Sequence, residues 1–370
     1  LKIVVLTSFP ESLINVRWPL LKALVSARHD VVACAPGDHP GVPSGMEQIG
    51  VRFEAMPLKR TGLNPLADFL FLRFFTRFLK AERPDVVFCY TIKSVIYGSL
   101  AAHRAGVPRI FALMTGLGYA FTDGNLKQRL VGRAARALYR RALPLNDAVF
   151  FQNPDDLKLF LDLGLLRDAR RAVRINGSGV DLERFAFQPS PSGPPVFLLV
   201  ARLLRDKGIV EYAEAARRLK PRYPTARFQL VGPHDANPSG ISRQQLEAWR
   251  SEGIIEYSGA TDDVRPFLAG AGVFVLPSYR EGTPMSVLEA MAVGRPIVTT
   301  DVPGCRETVV PGENGFLVPA KDATALAAAM ERFIVAPELI PKLGRRSREI
   351  AVEKFDVRAV NAVILKTLGL

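Results

Sequence analysis

Two clusters of charged residues stand just beyond apolar strand-like runs, where layered α/β proteins do their chemistry. In the first, the run 273–276 stops at Pro277, and a helical pattern opens with Thr283 as expected N-cap and Pro284 at the first helical position. The amide groups and dipole of such a helix start suit an anion, typically a phosphate. Ser286 and Glu289 are three residues apart and share one helix face. Glu281 stands just outside the helix, where a carboxylate accepts hydrogen bonds from sugar hydroxyls rather than binding phosphate itself. Taken alone, the pattern is equally that of a capped helix with two solvated carboxylates. The second cluster, Arg202 and Lys207, follows the run 196–200 on a strand-to-helix turn. Two cations there can neutralise a diphosphate, the arginine gripping it bidentately. Two anion-ready turns on one sheet edge weaken the reading of each as ordinary solvated surface.

The elements that must position these residues are an alternation of short β-branched runs and helix-length segments. Strands are expected at 2–6, 30–35, 51–56, 85–90, 109–113, 147–151 and 172–175, then at 196–200, 227–231, 254–257, 273–276, 297–300 and 316–318. Such alternation predicts parallel sheets covered by helices, and runs as apolar as Val196-Phe197-Leu198-Leu199-Val200 fit strands buried on both faces. The stretch Gln188-Pro189-Ser190-Pro191-Ser192-Gly193-Pro194-Pro195 cannot continue a helix or a central strand and reads as an interdomain linker. The expected class is α/β, with two doubly wound Rossmann-like domains facing across a cleft. The domains are 1–187, a linker at 188–195, and 196–370, with the last helix able to pack back on the N-terminal domain.

Composition narrows the function. With 370 residues, 48% hydrophobic and 23% charged, the chain has the make-up of a globular protein. It holds no uncharged apolar run of membrane-spanning length. The opening six residues are too short for a signal peptide and read as a strand. Cys34, Cys89 and Cys305 are scattered, which fits buried thiols in a reducing compartment. No Asp-x-Asp triplet and no His/Cys cluster of ligand spacing occurs, so no metal site is expected. The net charge of +13 is lopsided: residues 1–185 hold 26 Lys and Arg against 16 Asp and Glu, and residues 186–370 hold 23 against 20. A basic half suits an anionic partner: nucleic acid, anionic lipid or a phosphorylated small molecule.

Two segments of that half stand out. Residues 66–80 place five phenylalanines among Arg73, Arg77 and Lys80, with apolar residues on more than one helix face. This is either a deeply buried helix or one in contact with lipid or a partner. Arg129, Arg133, Arg136 and Arg140 line one face of a second helix, with Arg141 beside them. Nucleic-acid binding has no zinc-finger or RNA-recognition signature behind it, and the Phe-rich stretch fits lipid better. A dinucleotide-dependent oxidoreductase has only Gly116-Leu117-Gly118, which lacks the third glycine and follows a late strand.

The residues now quoted resemble the retaining family 4 glycosyltransferases of GT-B fold. Glu281 and Glu289 match the family's Glu-x7-Glu motif within Leu276-Pro277-Ser278-Tyr279-Arg280-Glu281-Gly282 and Leu288-Glu289-Ala290-Met291-Ala292. Arg202 and Lys207-Gly208 match its diphosphate-binding pair, and Asn176-Gly177-Ser178-Gly179-Val180-Asp181 its segment before the linker. A narrower likeness, to bacterial enzymes that extend a polyprenyl-diphosphate-linked sugar, rests on Arg17-x-Pro19, Lys93-Ser94, Gly116-Leu117-Gly118 and Gly232-Pro233-His234-Asp235. Many family members carry a first-domain His near the reacting sugar. The comparable loop here, Met114-Thr115-Gly116, has none.

The resemblance implies a metal-independent, retaining transfer of a hexose or N-acetylhexosamine, forming an α-linkage. The donor is a nucleotide-diphosphate sugar, with UDP preferred, GDP-mannose the alternative donor, and a nucleotide-sugar epimerase the alternative activity. The nucleotide sugar is a substrate, and no cofactor is implied. Arg202, Lys207 and the helix start Pro284, Met285, Ser286 and Val287 would hold the diphosphate, flanked by Gly282 and Thr283. Glu281 would meet donor-sugar hydroxyls, Glu289 the ribose, and Gly259 the base. Arg17, Lys93, Thr115, Gly116 and Gly118 are assigned to the acceptor, a polyprenyl-diphosphate-linked saccharide. A lipid-linked acceptor places the enzyme peripherally on the cytoplasmic face of the inner membrane, against an anionic surface and without nucleic acid.

Overall fold

A computed structural model of the chain describes all residues except 60, 61, 63, 117–125, 236 and 238, and the backbone alone of 126–128. The chain forms two compact units, one of Leu1–Ser178 with Arg358–Leu370, the other of Gly179–Val357.

The first unit holds a seven-stranded parallel sheet: β1 (Lys2–Leu6), β2 (Asp30–Ala35), β3 (Arg52–Ala55), β4 (Val86–Tyr90), β5 (Arg109–Met114), β6 (Ala148–Phe151) and β7 (Ala172–Arg174). Their spatial order is β3-β2-β1-β4-β5-β6-β7. The second holds six strands: β8 (Val196–Val200), β9 (Arg227–Val231), β10 (Glu256–Tyr257), β11 (Val273–Leu276), β12 (Ile297–Thr300) and β13 (Gly315–Val318). Their order is β10-β9-β8-β11-β12-β13. Every strand expected from the sequence is present, with ends moved by a residue or two. The central strands are buried on both faces, with Ile3, Val4, Phe197 and Leu198 fully enclosed. Each side chain of that size adds about 1.5–3 kcal/mol on burial.

In each sheet the winding reverses once, between β1 and β4 in the first unit and between β8 and β11 in the second. Connections leave in opposite directions there, so a crevice opens outside the carboxyl ends of the two strands. This places Ser8 and Thr91 at one crevice and Arg202 and Glu281 at the other.

The division between units differs from the expected linker. Val180 and Phe185 belong to the second unit's core, and the Arg295 guanidinium donates to the carbonyls of Gln188 (2.9 Å) and Pro189 (3.1 Å). The proline-rich stretch therefore starts already docked on the second unit, and the chain crosses earlier, at Ser178–Gly179. It returns at Val357, and Val360, Ile364 and Leu368 of the final helix pack among Ile3, Val5 and Phe111 of the first unit. Arg109 fixes the helix end by donating to the Leu368 carbonyl at 2.9 Å. All three cysteines are buried, free thiols.

The Phe-rich segment is the helix Pro65–Glu82. Asn64 caps it by accepting the Ala67 N–H at 3.1 Å, and it ends at Arg83 in a left-handed conformation. It is neither wholly buried nor wholly exposed. Phe71, Leu72, Phe75 and Leu79 enter the core, while Leu66, Phe69, Leu70 and Phe74 stay 45–68% exposed beside Arg73, Arg77 and Lys80.

Candidate active site

The second unit's crevice is closed by bonds between its two turns. Tyr279 N donates to the Asp206 carbonyl at 2.9 Å, and Ser278 Oγ lies 3.0 Å from the same oxygen. The Glu281 carboxylate is 13% exposed and accepts from Lys207 Nζ and, at 2.8 Å, from Ser278 Oγ. Arg202 pairs with Asp235 at 2.6 Å. The two cations thus converge at one strand edge, but each is already matched by a carboxylate, so the four side chains sum to zero charge. The sequence suggested two uncompensated cations. An anion would have to displace Asp235 and Glu281 from the two cations rather than meet bare charge.

Glycine makes this approach possible. Gly208 has φ 72°, and a Cβ on it would lie 2.0 Å from the Pro277 carbonyl oxygen. Gly304, on the loop after β12, has φ 83°, and a Cβ on it would lie 2.3 Å from the Glu281 backbone carbonyl oxygen. A side chain at Gly208 would drive the two turns apart, and one at Gly304 would push the Glu281 turn off the loop after β12.

The helix behind Glu281 runs Met285–Val293. Its N-cap is Pro284, not Thr283, and no side chain caps it. Thr283 instead turns its hydroxyl to the Gly282 carbonyl at 2.9 Å. Glu289 follows one turn into the helix. Burial pushes its carboxyl up to about 7, against a smaller downward pull from Arg184. On the far side of the crevice, the Gly259 carbonyl accepts the Gly232 N–H at 2.8 Å. The Tyr257 hydroxyl donates to the Gly232 carbonyl at 2.9 Å, and His234 packs edge-on against its ring. Leu203 N bonds the Pro233 carbonyl at 3.0 Å, which ties this segment to the Arg202 turn.

The first unit's crevice is built differently. Its centre is a hydroxyl cluster: Ser8 N and Oγ meet Thr91 Oγ1 at 3.0 and 2.8 Å, and Thr91 Oγ1 bonds Ser94 Oγ at 3.1 Å. Thr91 sits at φ 73°, a conformation costing a β-branched residue of order 1–3 kcal/mol. Arg17 is 2% exposed, with its Cζ 5.1 Å from the centre of the Tyr90 ring. Its Nε has no hydrogen-bond partner among the described residues. Burial lowers this guanidinium to about 10. Lys93 is not a free cation: it pairs with the buried Asp68 at 2.8 Å, and Tyr97 OH donates to the same carboxylate at 3.1 Å. That pair fastens the Phe-rich helix to the helix Ile92–Ala105. Thr115 and Gly116 follow β5, half-buried, and Gly118 lies outside the described residues.

Comparison with known proteins decides the family. Residues 194–335 match the family described as "Glycosyl transferases group 1", and residues 15–177 match "Glycosyl transferase 4-like domain". The lipopolysaccharide core biosynthesis glycosyltransferase LpsE of Rhizobium meliloti is 30% identical over 78% of this chain and 77% of its own. The chain belongs to this glycosyltransferase family.

The transferase is also 29% identical, over 96% of its length and 95% of the relative's, to the N,N'-diacetylbacillosaminyl-diphospho-undecaprenol alpha-1,3-N-acetylgalactosaminyltransferase of Campylobacter jejuni. Its fold matches a sucrose-phosphate synthase from Thermosynechococcus elongatus with a TM-score of 0.82 at 23% identity, covering 99% of this chain and 97% of that one. It matches Anabaena HepE, solved with UDP and glucose, at 0.79 and 19% identity, covering 100% and 99%. These matches agree with the two Rossmann-like, GT-B units expected from the sequence.

Sequence reasoning brought Arg202, Lys207, Glu281 and the helix start to one crevice, as the transferase's structure has them. It assigned no role to Asp235, Ser278, Thr91 or Arg184. Their signal was positional, since Asp235, Ser278 and Thr91 all fall just past a strand end.

Proposed function

We propose that the transferase moves a hexose or N-acetylhexosamine from a UDP-sugar to a polyprenyl-diphosphate-linked saccharide in bacterial glycan assembly, with retention and an α-linkage. The observation that carries the donor half is the convergence of Arg202, Lys207, Glu281 and the start of the Met285–Val293 helix at one switch point. Arg202, Lys207 and the helix start take the diphosphate, Glu281 the donor-sugar hydroxyls, and Glu289 the ribose hydroxyls. Gly259 and the segment after Gly232 border the base. The acceptor half draws support from the full-length likeness to an enzyme named for a diphospho-undecaprenol substrate.

In the reaction, the bond from the anomeric carbon to the β-phosphate oxygen breaks as the acceptor oxygen bonds that carbon from the same face. The acceptor proton passes to the leaving phosphate, so no separate base is needed. Arg202 and Lys207 stabilise the charge left on the diphosphate, so no metal is required. This same-face route is preferred over double displacement with Glu281 as nucleophile, since Glu281 is assigned to the donor-sugar hydroxyls. A sugar trapped covalently on wild-type Glu281 would reverse that choice.

The exposed Leu66, Phe69, Leu70 and Phe74, with Arg73, Arg77 and Lys80 on the same helix, fit an anionic bilayer surface, where the acceptor resides. No helix among the described residues is long and apolar enough to cross a membrane. Flotation with anionic but not neutral vesicles is expected, and equal flotation with both would sink the membrane reading.

The donor test is a thermal shift with UDP, GDP, ADP and NAD on wild type and Arg202→Ala. Ligand at one hundred times its dissociation constant stabilises by about 2.7 kcal/mol. A shift with UDP alone, lost in the variant, is expected. A shift with GDP alone would move the donor to GDP-mannose, and a shift with NAD or with none would overturn the reading.

A further inference from the structure

Arg17 is a buried cation at a switch point to which the described residues bring no counter-ion. More than nine-tenths of its surface is buried, and among the described residues its Nε lacks a partner and Tyr90 is the one neighbour acting on its charge. Glu11, the acid closest in sequence, makes no ion pair with it. A buried guanidinium without a counter-ion costs stability, and the usual remedy is a carboxylate brought in by the fold. Lys93 shows that remedy in the same unit, with Asp68. Arg17 sits instead at the carboxyl end of β4, against Tyr90. The next residue, Thr91, is held strained by the Ser8 and Ser94 hydroxyls and opens a 14-residue helix without capping it by its side chain. A guanidinium, a group of hydroxyls and a helix start at one strand end form the donor set of an oxyanion site.

We propose that Arg17, with the Ser8–Thr91–Ser94 hydroxyls and the start of the Ile92–Ala105 helix, forms a second diphosphate site, wholly within the first unit, that holds the diphosphate of the lipid-linked acceptor. This deepens the acceptor half of the proposed transfer. Arg17 acts as the anchor that sets where the acceptor sugar stands, and Lys93, already spent on Asp68, is scaffold.

The test uses the full chain and isothermal titration with inorganic diphosphate, in an Arg202→Ala/Lys207→Ala background that disables the donor grip. Diphosphate is expected to bind that background still, and adding Arg17→Met is expected to weaken it at least ~10-fold, the loss of a charge-assisted contact. Arg17→Met in the otherwise wild-type chain is expected to keep UDP affinity and to melt at the same or a higher temperature, since it removes an unpaired buried charge. If the methionine variant misfolds, Arg17→Lys replaces it, and the same weakening is expected from the lost planar fork. No diphosphate binding in the background, or equal binding with and without Arg17, would overturn the proposal. Polyprenyl diphosphate in detergent micelles must displace inorganic diphosphate; failure to do so would overturn the lipid assignment. UDP is titrated into the wild type in parallel. Its failure to bind would remove the donor reading and leave the Arg17 result standing, so the two fail separately.

Discussion

The two switch points solve one electrostatic problem in opposite ways. In the second unit, Arg202 and Lys207 meet Asp235 and Glu281, and Ser278 steadies Glu281 from the side. In the first, Arg17 is buried deeper than either of these cations and, among the described residues, meets the Tyr90 ring but no carboxylate. On the proposed function, a neutralised site gives up its carboxylates to a diphosphate and takes them back on release, which suits a nucleotide that must leave each turnover. An unmatched buried cation instead carries a standing cost that only an arriving anion relieves. The contrast teaches that the same position in a doubly wound sheet can be prepared for exchange or for capture, depending on whether an acidic residue has been placed opposite the cation.

The largest expected effect tests the neutralised side. Lys207→Ala removes a charge from the leaving diphosphate and should lower kcat by about 10²–10³-fold, the usual loss of one preorganised donor. UDP affinity should fall far less. A loss under tenfold in kcat would mean that Lys207 serves mainly to hold Glu281, and the exchange picture would fail. Sugar release from a UDP-sugar, measured at saturation, reads both.

The second test separates scaffold from site within the first unit. Lys93→Met leaves the buried Asp68 with Tyr97 alone and should cost about 3 kcal/mol. Asp68→Leu with Lys93→Met should recover most of that, because the pair is replaced by apolar contact between two packed helices. Chemical denaturation gives the stabilities, and acceptor KM gives the function. If the double variant is stable but loses acceptor affinity, Lys93 belongs to the site after all and the division between Arg17 and Lys93 is wrong.

That division marks the limit of what the sequence discloses. The strands were legible because buried parallel strands must be short β-branched runs. The crevice residues were legible because the runs end just before them. Partnership was not, since Lys93 meets an acid 25 residues earlier and Lys207 one 74 residues later, and nothing local announces either. The helix start was misplaced by one residue because Thr283 is a good N-cap by type but spends its hydroxyl on the preceding carbonyl. The unit boundary was placed too late for a similar reason. Proline density marks where regular structure stops, but where a unit stops depends on what packs, and Arg295 holds the first linker residues.

The smallest effect concerns Glu289, which sharpens the neutralised side by asking when its outer carboxylate carries charge. Burial raises its folded value to about 7, above the ordinary 4.5, so the folded unit favours the protonated form. As pH rises from about 4.5 to about 7, the unfolded chain loses this proton first, and stability falls over that window. Binding runs the other way. Ribose hydroxyls donate to the charged carboxylate, so affinity for a UDP-sugar should weaken on acidifying below about 7, by up to about tenfold per pH unit. Glu289→Gln should be more stable than wild type above pH 7 and should bind with a flat profile across that range. A wild-type profile equally flat would mean that the ribose is held elsewhere, and Glu289 would then be a buried helix residue with no part in the exchange.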